Sequence, residues 1–135
     1  MGVLELAGCV ANHKPAIERA KFLRTVLHLL GLPNVPVAVG SEGTAKKEDR
    51  EKYYYELRNL TFSKQKWNEE SFKEGKQLIK ELVEQEGKAP LTVLLISSLQ
   101  DISEYFDYHQ DQEFLESHFK NLFPRVDIRL IAMGR

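Results

Sequence analysis

A single cysteine, Cys9, stands in the 135 residues. That excludes an internal disulfide framework and a cysteine-rich zinc module. An excess of either charge is also lacking: 19 basic side chains face 20 acidic ones, for a formal net charge of -1. Proteins that track phosphates carry a basic excess, so nucleic acid is not expected as a partner. No apolar run approaches the ~18 residues a membrane helix needs. The opening residues Met1 to Glu5 lack the basic region and apolar length of a signal peptide. Repeats, low-complexity tracts and interdomain linkers are missing too. What is present is the balance of a folded chain, 42% hydrophobic and 29% charged, which is too apolar for a disordered one. The expectation is one soluble, cytoplasmic domain over residues 1–135, large enough to bury roughly two thirds of its unfolded surface.

The hydrophobic pattern alternates between two periods. Val3 to Val10 is short and mostly apolar, as a buried strand is. Pro15 suits a first helical position, and Ala16, Ala20, Leu23, Leu27 and Leu30 then draw one stripe down a helix. Gly31 and Pro33 stop it. Val35 to Gly40 reads as a second strand, with Pro36 at its entrance because proline donates no ladder bond. A mixed-sign run from Lys46 to Lys52, then Tyr53, Tyr54 and Tyr55, reads as a solvated helix or loop with aromatic anchors, or as a lid over a pocket. Helical spacing returns from Glu69 to Glu86, with Asn68 as cap and Phe72, Leu78, Ile79, Leu82 and Val83 on one face. Leu91 to Ile96 is apolar on both faces and predicts a strand covered on both sides. A short helix through Tyr105, another from Asp111 to Leu122, and a strand over Val126 to Met133 complete the order. This alternation predicts an α/β fold: a mainly parallel, Rossmann-like sheet of about four strands with flanking helices and right-handed crossovers.

In open parallel sheets ligands bind beyond the carboxyl ends of the strands. Four turns should therefore share one edge, offering Asn12, His13, Ser41, Glu42, Ser97, Ser98, Gln100 and Asp101. Each has a plainer reading. Asn12 could bond its own backbone in a turn, and Asp101 could be a metal ligand or an acid at a helix N-terminus. Cys9 with His13 supplies too few ligands for a closed zinc site. His28 lies off the helix stripe and should face solvent or an edge, and His109 and His118 have no evident partner. The tyrosine run could stack bases, but the equal acidic count argues against it.

The same turns carry a resemblance. Leu6-Ala7-Gly8-Cys9-Val10-Ala11-Asn12 resembles a strand ending in a ribose-binding asparagine. Leu27, Leu29, Leu30 and Gly31 followed by Asn34-Val35-Pro36-Val37-Ala38-Val39-Gly40 resemble an "LLGxxxVPVxxG" segment, the most specific match. Leu91 to Ile102 resembles a strand and turn ending "GPLTNIA", and Ile128 to Gly134 resembles one ending "MGG". In order and rough spacing these segments resemble the inosine–uridine-preferring nucleoside hydrolase family. The resemblance implies cleavage of the N-glycosidic bond of nucleosides, with a calcium ion held by an aspartate cluster, a water activated on it and a chelated ribose. It also implies substrate contacts for Asn12 and Met133. Read from the residues alone, Met133 is better taken as a strand-end core residue.

The departures set the functional expectation. The family's "DxDxxxDD" strand is missing from these 135 residues, Gln100 stands where a threonine offers a carbonyl to the metal, and Arg135 replaces the second glycine of "MGG". Calcium wants six to eight oxygen ligands, so no cofactor is expected, and the Gln100 carbonyl would serve only if a metal were present. The expected protein is a truncated nucleoside hydrolase-like domain without autonomous activity, acting as a binding or assembly module. The alternative is an enzyme on the inherited strand-end pocket, either a nucleoside hydrolase completed by another chain or a diverged reaction. In the resembled fold the missing strand is central. Its absence predicts a homo-oligomer or a complementary polypeptide as partner, since exposed edges associate. A nucleoside or other small molecule remains a candidate ligand.

Overall fold

The computed structural model describes residues 3–43, 67–85, 90–96, 99–108 and 125–130. In chain order they form β1 (Cys9–Ala11), α1 (Ala16–Leu29), β2 (Val37–Val39), a 3-10 turn (Glu69–Ser71), β3 (Lys73–Glu74), α2 (Gly75–Val83), β4 (Leu91–Leu95), α3 (Gln100–Tyr108) and β5 (Val126–Leu130). All pairings are parallel. The strands fall into two small sheets, one ordered β1-β2-β3 and the other β4-β5. The fold is thus α/β with parallel strands and three described helices, divided between two sheets where the sequence predicts one. The Lys46 to Tyr55 run, the helix expected after Asp111, His109, His118 and residues 131–135 lie outside the described residues.

Helix α1 forms where the stripe predicts and packs on β1 and β2. Ala16 and Ala20 are fully buried, so the helix axis can approach the sheet, and Leu27 closes the contact. Ala11, Ala20, Leu27 and Val37 make one core, flanked by Leu23, Val39 and Phe72. Leu30, expected on the stripe, is instead exposed, because the helix ends one residue before it. The ending is a Schellman motif. The Leu32 amide donates to the Leu27 carbonyl (2.8 Å) and the Gly31 amide to that of His28 (3.1 Å), with Gly31 at φ 77°.

The helix expected from Glu69 is broken in two. Asn68 caps as expected, accepting from the Glu70 amide at 3.1 Å, but it caps a 3-10 turn. Phe72 is then extended (φ -89°, ψ 129°), and Lys73 and Glu74 pair with β2. The reason is tertiary. The Arg24 guanidinium lies 3.6 Å from the centre of the Phe72 ring, and Arg24 Nη1 donates to Ser71 Oγ (2.8 Å). These contacts hold the segment against α1, and only Gly75 onward is free to wind.

Helix α2 touches both sheets. Leu78 and Leu82 pass over Gly8, just before β1. Val83 joins Ile102 and Tyr105 of α3 in a second core with Ile79, Leu91, Leu95 and Val126. The apolar run of β4 predicts cover on both faces. The strand instead alternates half-buried and exposed residues, with Leu94 53% exposed, as befits a strand in a two-stranded sheet.

Candidate functional site

The strand-end rule brings three of the expected polar residues into direct contact. Beyond β1 and β2 the backbone continues to pair: the Gly40 amide donates to the Ala11 carbonyl and the His13 amide to that of Ser41, both at 2.8 Å. His13 takes a left-handed φ of 72° to keep that register. The two turns then present three donors to one carboxylate. The Ser41 amide lies 2.6 Å from Asp101 Oδ1, while Ser41 Oγ (3.0 Å) and Asn12 Nδ2 (3.1 Å) both donate to Oδ2. Asp101 is only 6% exposed. A buried carboxylate persists when its lone pairs are filled in this way.

Two glycines shape the space around it. A Cβ on Gly40 would lie 2.7 Å from Asp101 Oδ2, and one on Gly75 would lie 2.9 Å from Oδ1. Gly75 opens α2 and Asp101 sits in the first turn of α3. The carboxylate therefore lies where two helix N-termini add positive potential. Asp101 was legible as a helix-start acid, but its clasp on Asn12 and Ser41 was not. The signal that could have pointed to it was Gly75, a glycine within an expected helix, which marks a close approach of backbone.

The remaining candidates fall elsewhere. Gln100 begins α3, and its side chain donates to Glu104 (2.8 Å). Ser97, Ser98 and Met133 lie outside the described residues. Cys9 is a free, half-buried thiol, and burial pushes its pKa above the ordinary value. His28 is exposed and meets Trp67 edge-on, 6.4 Å between ring centres. An apolar groove is lined by Leu4, Leu6, Leu32, Pro33, Val35 and Pro36. It opens at the entrance of β1 and β2, the end away from Asp101.

Among the described residues the donor set is too small for calcium. The Asp101 oxygens are already engaged by Asn12 and Ser41, and among the described residues no group of three or more His, Cys, Asp or Glu side chains could hold a metal ion. Asn12, the match to a ribose contact, spends its amide N–H on the same carboxylate. Among the described residues no helix is long and apolar enough to cross a membrane. Compared with protein-family models, with curated proteins and with solved structures, the chain matches none.

Proposed function

We propose that this chain is a nucleoside hydrolase-like α/β module that binds or assembles and does not cleave N-glycosidic bonds on its own. The observation that carries the proposal is the engagement of Asp101. Departure of a nucleobase builds positive charge on the sugar, which calls for free carboxylates facing it. The Asp101 carboxylate at the strand ends is turned inward and occupied by Asn12 and Ser41.

The two small sheets support the assembly half of the reading. Strands β1 and β4 each have one edge without a described partner, and α2 lies against both sheets. A helix with its side chains is about 10 Å across and neighbouring strands lie about 4.8 Å apart, so one helix covers roughly two strands. In this proposal the two sheets are parts of one Rossmann-like sheet that a second copy or a complementary polypeptide completes. The same edges favour the second reading, a nucleoside hydrolase whose acidic strand comes from another chain.

Calorimetric titration of calcium, with and without ribose, separates the two. The first reading predicts no saturable heat for this chain in either case, whether alone or at the concentration where it self-associates. Saturable calcium binding that tightens with ribose would establish the second.

A further inference from the structure

We propose that the apolar groove at the entrance of β1 and β2 docks a second copy of this chain, each copy laying residues 3–6 into the groove of the other so that Leu4 of one meets Leu32 of its partner. The inference rests on the assembly role proposed for the chain and gives that role a contact surface away from the strand edges.

Three observations carry it. The first is area. Val3 is 93% exposed and Leu4 99%, and both line the groove with Leu6 and Leu32, which are exposed too. Leu29 and Leu30, exposed as well, lead directly into Gly31 of the lining. Together these six leave roughly 700 Å² open to water, more than the ~300–600 Å² of the largest apolar patch on a typical monomer and close to the ~800 Å² per partner of a stable interface. The second is shape. Residues 3–6 belong to no helix or strand and project into water, while Leu32, Pro33, Val35 and Pro36 form a recess beside them. The patch thus carries both a projection and a recess. A two-fold axis sets each projection into the other copy's recess and satisfies both at once. A small apolar ligand would fill the recess and leave Leu4 in water. The third is charge. Glu5 is the one charged side chain among the described lining residues, and none of them is basic. Membrane surfaces are met by lysine and arginine around an apolar face, so this lining favours an apolar protein surface instead. The formal net charge of -1 leaves little repulsion between copies.

Sedimentation velocity of the full chain over a range of loadings tests the proposal. The wild type should reach a dimer. Leu4→Glu should raise the dimer Kd by roughly tenfold or more. Leu4 is almost wholly exposed, so the far-ultraviolet circular dichroism of that variant should not change. Leu32→Lys should weaken the dimer likewise. An equimolar mixture of the two variants should recover it, because the introduced carboxylate then meets the introduced ammonium in one groove while the other groove keeps its leucines. Leu94→Glu, on β4, should leave this dimer in place. A dimer unaffected by Leu4→Glu overturns the proposal, as does a mixture that recovers nothing. Loss of the dimer in Leu94→Glu alone would keep the assembly role and remove this surface. A monomer at every loading would remove both.

Discussion

At the scale of single residues, glycines separate two kinds of constraint. Gly31 adopts φ 77° with open space around it, whereas Gly40 has an ordinary φ but is hemmed in by Asp101, Asn12 and Val10, each within 3 Å of where a Cβ would stand. Gly31→Ala should cost about 1 kcal/mol, through backbone strain alone. Gly40→Ala should cost about 2–3 kcal/mol, because overpacking must displace buried atoms. Urea unfolding of the two variants checks the order. Equal losses would mean that the Asp101 clasp is looser than its distances state. Tyr105 gives a pH dependence. Burial of the ring pushes its phenol pKa well above the ordinary value, and the charge of Glu84 and the hydrogen bond to it (3.4 Å) push the same way. The unfolded chain releases this proton near pH 10 while the folded chain keeps it, so the unfolded state binds fewer protons there. Stability should therefore fall as pH rises above about 10, and Tyr105→Phe should flatten that part of the curve in pH-dependent urea titrations.

At the scale of elements, most of α1 was legible and the segment after Trp67 was not. The α1 stripe is a local, periodic signal, and the Gly31–Pro33 stop is as local. The segment from Asn68 to Val83 also has helical spacing, yet it folds as a 3-10 turn, a short strand and a nine-residue helix. What divides it is tertiary: Arg24 over Phe72, the Arg24–Ser71 bond and the pairing of Lys73 and Glu74 with β2. None of these can be read from spacing. The strand-end rule likewise selected Asn12, Ser41 and Asp101, but only the fold shows that they bond to one another. The anchor between α1 and this segment includes the Trp67 indole, which donates to Thr25 Oγ1 at 2.9 Å. Trp67→Phe should cost about 1 kcal/mol through that bond, with further loss from the smaller ring. Thr25→Val should lose a comparable amount, and the double variant less than the sum, in a double-mutant cycle read by chemical denaturation.

At the scale of the whole molecule, the strand edges that have no partner among the described residues dominate. Parallel sheets are stable when their faces are covered, and a two-stranded unit, which is what the described residues show of β4-β5, is marginal by itself. Leu94 and Ile96 remain about half exposed beside that unit, and Val3 and Leu4 almost wholly so. The account predicts concentration-dependent association: light scattering after size exclusion should give a mass that rises with loading. Charged substitutions at Leu94 should reduce that rise if β4 is the contact. A mass that stays monomeric at high loading would remove the assembly half of the reading. The formal charge of -1 offers little repulsion to oppose such contacts.

Ribose release from inosine by the purified chain in calcium-containing buffer tests the central claim most directly. With the Asp101 carboxylate engaged by Asn12 and Ser41, release should stay at the rate of the buffer alone. Repeated turnover by this polypeptide, dependent on calcium and lost on chelation, would contradict the account.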